Sequence, residues 1–113
     1  MTKPILIDDD TWLMCPECND NYLHHASVTV YNRTEDAEKT RVTHLGTGMD
    51  GFTHDVEGGL DDTLTSATVE SEHCNNPSSR RHGLQITFYC EVCGSKPVLN
   101  LYQHKGFTGL EWQ

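Results

Sequence analysis

Long apolar runs are missing from this chain. The opening MTKPILIDDD has three consecutive apolar residues before three aspartates, and no stretch approaches the ~20 apolar residues that cross a bilayer. The expectation is neither a secretory leader nor a membrane anchor, and a cytoplasmic setting in which thiols stay reduced. Basic charge is also scarce: 8 Lys and Arg stand against 17 Asp and Glu, a net charge of −9 with histidines neutral. Such a molecule repels polyanions at long range, so nucleic acid is not the first partner to expect. Helix signals are nearly absent. TEDAEKT at 34–40 has Thr34 as a cap and a Glu35–Lys39 pair but no apolar face, and reads as a charged turn.

A catalytic set is missing too. Ser66, Ser71, Ser78 and Ser79 stand in a Gly/Ser/Thr-rich stretch with no nucleophile elbow. Asp8, Asp9, Asp10, Asp61 and Asp62 form runs, which read as solvated charge rather than as a carboxylate pair in an apolar pocket. Gly46-x-Gly48-x-x-Gly51 matches a dinucleotide fingerprint on paper, but no helix can open on the FTHDVEGG that follows, so the glycines are read as coincidental.

What is present is strand patterning. At 113 residues the chain makes one domain. SVTVYN alternates Val28 and Val30 with Thr29 and Tyr31, and GLQITFYC sets Leu84, Ile86, Phe88 and Cys90 on one face against Gln85, Thr87 and Tyr89. Pro97 is tolerated at the start of a strand, and HKGFTG reads as a hairpin turn before GLEW. The pattern predicts a mainly β, antiparallel sheet of about five strands near 10–15, 22–33, 84–90, 97–104 and 108–112, with shorter ones near 40–45 and 63–71. Residues 46–79 hold seven acids and no Lys or Arg. They are expected to be the least ordered part, replaceable by a short linker without unfolding the rest. From Arg80 onward the balance turns mildly basic.

There are five cysteines, four of them in two CxxC pairs: Cys15 and Cys18 in CPEC, Cys90 and Cys93 in CEVC. Each pair follows an apolar run (TWLMC, ITFYC) and precedes a residue that tolerates positive φ, Asn19 or Gly94. A CxxC loop grips a metal by bending sharply after the first sulfur. Two such loops facing each other place four sulfurs at tetrahedral corners about 2.3 Å from a zinc ion. A redox CxxC instead needs a helix opening at the pair, and strand-like sequence follows both. Cys15, Cys18, Cys90 and Cys93 are therefore expected to hold one structural Zn²⁺, whose four thiolates take the net charge to −11. Such a closed site leaves no position for water and no Lewis acidity for catalysis.

Strand, CPEC, strand, then strand, CEVCG, strand resembles the zinc-ribbon class over about half of the chain. The 71 residues between Cys18 and Cys90 exceed a minimal ribbon, so 34–80 is an elaboration or mobile loop that the class does not describe. YLHHASVTVYNR, NPSSRRHGL and QHKGFTGLEW are similar to stretches of small uncharacterised proteins of actinobacteria and their phages, which implies a bacterial or phage setting and no activity.

Among the seven histidines, His24 and His25 lie close enough to Cys18 to support the metal from outside its ligand shell. His73 and Cys74, with His54, read as stray loop residues and Cys74 as an exposed free thiol. Arg80, Arg81, His82, His104 and Lys105, among Tyr89, Tyr102, Phe107 and Trp112, form a candidate binding face, although four basic residues make a thin footprint for nucleic acid. The expected function is a non-enzymatic adaptor or modulator that binds another protein. A nucleic-acid-binding ribbon is the alternative and an enzyme the third reading.

Overall fold

The structure, a computed structural model, describes residues 3–46 and 64–113. Six strands are present: β1 (Leu23–Asn32), β2 (Lys39–Gly46), β3 (Leu64–Glu70), β4 (Gly83–Cys90), β5 (Val98–His104) and β6 (Phe107–Trp112). They form one antiparallel sheet in the order β3-β2-β1-β4-β5-β6. The chain builds outward from β1 on one side, then crosses back and builds outward on the other. Local chemistry sets the turns. Between β5 and β6, Lys105 (φ 49°) and Gly106 (φ 86°) make a two-residue hairpin loop, whose positive-φ twist matches that of the strands. Between β1 and β2, TEDAEKT is a charged turn as expected, with Asp36 at φ 59° and the Ala37 amide donating to the Thr34 carbonyl at 2.9 Å.

The strand expected near 10–15 does not form. Ile7 and Leu13 make a single isolated bridge around a tight turn. The Asp8 carboxylate accepts from the amides of Asp10 and Trp12, both at 2.9 Å, and Thr11 takes a φ of 68°. The aspartate run is a turn signal that outweighs the apolar TWLM, so this segment folds back as an arm. Of 46–79, residues 47–63 lie outside the described residues, and the strand expected near 63–71 forms as β3, which pairs with β2 along Leu64–Glu70. The expectation for 71–79 needs correction: a 3-10 turn covers Ser71–His73, and the chain then packs onto the sheet. Ser78 is buried. Its hydroxyl donates to the His82 carbonyl and accepts from the Gln103 amide (2.9 Å), while Asn76 Nδ2 donates to the Arg81 carbonyl at 2.8 Å. The glycine motif at 46–51 and His54 extend into or lie in the span outside the described residues.

The sheet has unlike faces. Register places one apolar residue from every strand in a single row, Leu64–Leu45–Val28–Ile86–Leu99–Trp112. The next row is Ser66–Thr43–Val30–Leu84–Leu101–Leu110. Phe88, Leu99 and Trp112 form the buried core, with Phe88 edge-on to Trp112 at 5.9 Å. Ile5 and Leu13 of the arm cover them from above. The opposite face is polar: Thr29 Oγ1 and His44 Nδ1 are 2.8 Å apart, Tyr31 donates to Gln85 Oε1 at 2.6 Å, and Gln85 Nε2 donates to Asn100 Oδ1 at 3.0 Å. Residues 71–79 lie over part of that face, close enough that a Cβ on Gly83 would stand 2.0 Å from Asn76 Oδ1.

Candidate metal centre

The two CxxC loops are built alike. Cys15 N donates to the Asp20 carbonyl at 2.6 Å, and Cys90 N donates to the Ser95 carbonyl at 3.0 Å. The Asn19 amide donates to the Cys15 carbonyl (2.9 Å), and the Gly94 amide to the Cys90 carbonyl (2.8 Å). Asn19 and Gly94 hold φ of 62° and 74°, the positive values their side chains allow. β4 delivers Cys90 from the sheet, whereas the arm delivers Cys15. Leu23 at the start of β1 pairs with Cys90 and brings the first loop to the second.

Together these loops set the ligand atoms of Cys15, Cys18, Cys90 and Cys93 within 4.8 Å of one another. Cys15 Sγ lies 3.8 Å from Cys93 Sγ, and Cys18 Sγ 3.6 Å from Cys90 Sγ. All five cysteines are free thiols. Four ligands at ~2.3 Å from a tetrahedral ion stand ~3.8 Å apart, so the spacing fits a metal and is far beyond the ~2.05 Å of a disulfide. Cys15 and Cys90 are fully buried, Cys18 and Cys93 exposed, so the site is anchored from beneath and faces solvent on its outer side.

Electrostatics separate the thiols. The Ser95 hydroxyl, 3.0 Å from Cys93 Sγ, and the Ser95 amide bring the Cys93 pKa down to about 6. At Cys18 the pull of the Asp20 amide is outweighed by burial and by the neighbouring thiols, and its pKa is pushed up to about 12. Four sulfurs in contact cannot all ionise unaided. A divalent cation removes that conflict by neutralising them together. Ser95 was not singled out from the sequence, and its place two residues after the last cysteine of CEVCGS is the signal that marks it. Its hydroxyl also lies 3.6 Å from Cys15 Sγ, so it touches both halves of the cluster.

Among the described residues, the histidines stay outside the cluster. His24 pairs with Glu91 and His25 packs on Phe88 at 5.6 Å. His73 is exposed beside Glu72 (3.4 Å). Cys74, expected to be exposed, is half-buried, and its thiol donates to the Ser71 carbonyl at 3.3 Å. The candidate binding face lies at the opposite end of the sheet from the thiols. There Arg80 forks onto Asp36 (Nε–Oδ1 2.7 Å, Nη2–Oδ2 2.6 Å) and Arg81 pairs with Glu35. The bonded guanidinium lowers the Asp36 pKa and raises that of Arg80. His82 Nδ1 accepts from the Arg33 amide at 2.9 Å, and His104 and Lys105 stand at the β5–β6 turn. A cleft of about 480 Å³ on the polar face is lined by Asn75, Asn76, Gln85, Thr87, Val98 and Gln113, with no acid, base or thiol among them. No helix among the described residues is long and apolar enough to cross a membrane. The chain matches no family model, no curated protein and no solved structure.

Proposed function

We propose that this chain is a small zinc-ribbon-class protein of a bacterium or phage, with one structural zinc ion on Cys15, Cys18, Cys90 and Cys93, acting as a non-enzymatic adaptor that binds protein. The zinc assignment is supported by sulfur spacings of 3.6 and 3.8 Å and by an all-thiolate donor set, which favours Zn²⁺ over oxygen-seeking cations. When bound, the ion ties the arm to the β4–β5 turn. The residues around it shape and neutralise the site: Ser95 and the loop amides donate to the sulfurs, and Cys15 and Cys90 are shielded from water.

The observation that carries protein binding is the half of the apolar face that the arm leaves uncovered. Leu64, Leu45 and Val30 stand exposed there on the neighbouring strands β3, β2 and β1, and Leu110 on the far edge strand β6, with Leu84 and Leu101 half-buried between. Contiguous apolar patches of this kind mark interaction sites. Capture from a lysate of the native host tests the reading. A protein retained after nuclease treatment, and lost with Leu110→Asp, is the expected result; retention of nucleic acid alone sinks it.

Nucleic acid is the second reading, favoured by the gathering of Arg33, Lys39, Arg41, Arg80, Arg81 and Lys105 at the end away from the thiols. It ranks lower because Glu35, Asp36, Glu38, Glu70 and Glu72 stand among them, and two of the arginines are already paired. Four phosphate contacts give a log–log salt slope of only about −3 to −4. Fluorescence anisotropy with mixed-sequence oligonucleotides at micromolar protein is expected to show no binding in physiological salt. Binding abolished by Arg80→Ala, Arg81→Ala and Lys105→Ala together would promote this reading to first.

A further inference from the structure

We propose that the uncovered half of the apolar face is a homodimer interface, on which two copies of this chain lie face to face and antiparallel, the thiol end of each against the basic end of the other. The proposal rests on the protein-binding reading and names its partner. A sheet buries an apolar face against a second layer. Among the described residues, the second layer covers only the thiol half, where Ile5 and Leu13 sit over the Phe88–Leu99–Trp112 core. Beyond the arm, Leu64 (53% exposed), Leu45 (39%), Val30 (42%) and Leu110 (52%) lie open, with Val28, Leu84, Ile86 and Leu101 half-buried between them.

The shape of this surface selects its occupant. Six strands at ~4.8 Å spacing make a face ~24 Å across, too wide and flat for one ~10 Å helix and matched by another sheet at ~10 Å separation. The two apolar rows, the second of which ends in Thr43 and Ser66 on β2 and β3, and the row of Arg41 and Thr68 beside them span about 500 Å² in projection, of which the corner over Leu99 and Trp112 is already under the arm. The open remainder makes an interface smaller than the ~800 Å² per partner of a standard stable one, in keeping with a micromolar dimer.

Charge permits the meeting and sets its direction. Although the chain carries −9 overall, the strand residues on this face include one acid, Glu70, already paired with Lys39, and one further cation, Arg41. The thiol end holds Asp8, Asp9, Asp10, Glu17, Asp20 and Glu91 against Lys3 and Lys96. The other end gathers six of the chain's eight Lys and Arg among five acids, Glu35, Asp36, Glu38, Glu70 and Glu72, a slight positive balance against the negative one of the thiol end. A parallel arrangement stacks arm on arm, holding the sheets apart, and brings the two acidic ends together. The antiparallel twofold keeps β6 over β6, so each arm comes to the basic end of its partner's β4–β6, with its aspartates toward Lys105 of the β5–β6 turn. The interface is isologous, so it closes at two copies.

Sedimentation equilibrium of the metal-loaded full chain, from about 1 to 100 µM, tests this, since mass action fills a micromolar dimer across that range. The expected result is a dimer, weakened at least ~100-fold by Leu45→Asp or Leu110→Asp, because a charge at either position would be desolvated unpaired in the interface. Metal content and the β-sheet circular dichroism should be unchanged. Val30→Lys serves where either variant loses metal. Carbodiimide cross-linking should join Lys105 of one copy to Asp9 or Asp10 of the other. A monomer throughout, or a dimer indifferent to all three substitutions, overturns the proposal, and cross-links only between like ends overturn its antiparallel form. A monomer whose face still captures a different protein leaves the protein-binding reading standing; a monomer that captures nothing removes both.

Discussion

Ser95 shows how much one hydroxyl can decide. It stands 3.0 Å from Cys93 Sγ and holds that thiol near a pKa of about 6, well below its usual 9.0. In the metal-free protein Cys93 is therefore mostly thiolate at neutral pH, and the thiolate is lost as pH falls through about 6. Alkylation against pH should show Cys93 reacting first, with that midpoint. Ser95→Ala should move the midpoint upward and lower metal affinity about tenfold, as loss of a hydrogen bond to a ligand does. An unmoved midpoint would show that the hydroxyl does not act on the sulfur. Metal binding displaces protons, so affinity for the ion falls as pH falls. The four cysteines were legible because CxxC spacing is a local property. Ser95 was not, because its role depends on how Gly94 turns the chain at φ 74°.

At the scale of elements, alternation located β1, β4, β5 and β6 to within a residue or two, and the β-prone stretches near 40–45 and 63–71 are β2 and β3. The stretch 10–15 failed because alternation is blind to what an aspartate side chain does to the backbone around it. The segment 71–79 failed for a different reason: its composition is that of a loop, and its order comes from contacts with β4 and β5. Two substitutions check this. Ser78→Ala strands the Gln103 amide and the His82 carbonyl, and should cost about 1–3 kcal/mol in denaturant unfolding. Gly83→Ala drives a Cβ to 2.0 Å from Asn76 Oδ1 and 2.9 Å from Pro77 Cδ, and should cost a similar ~1–3 kcal/mol. If Asn76→Ala in the same chain recovers part of that loss, the two segments are in contact as described. Stability unchanged in both single variants would return 71–79 to the status of a loose loop.

For the whole molecule the four-cysteine cluster is the tie between distant parts. Cys18 and Cys90 are separated by 71 residues, and the arm that covers the core is anchored through Cys15 and Cys18. Zinc binding in finger peptides is worth ~10–16 kcal/mol, comparable to the whole stability of a small domain. One equivalent of zinc per chain is expected on elemental analysis of protein purified without chelator. Its removal by a strong chelator should release the arm and unfold the sheet. Cys90→Ser should do the same, while Cys74→Ser, whose thiol donates to the Ser71 carbonyl and stands outside the four-cysteine cluster, should retain metal. A metal-free chain with an unaltered spectrum would show that the sheet stands without the ion.

The sequence by itself determined the class of fold and the four cysteines that cluster. Both follow from near-neighbour patterns: alternation at a period of two, and paired thiols ahead of residues that accept positive φ. The distribution of charge was decided only in three dimensions. Along the chain, residues 46–79 read as an acidic block and the stretch from Arg80 as a basic one. Antiparallel pairing sends Glu70 and Glu72 to the basic end, and Lys96 to the thiol end. It also sets Glu35 and Asp36 against Arg81 and Arg80. Likewise each apolar residue of the cross-sheet row is unremarkable in its own strand. Their alignment into one surface depends on register between strands far apart in sequence, which pairing alone specifies.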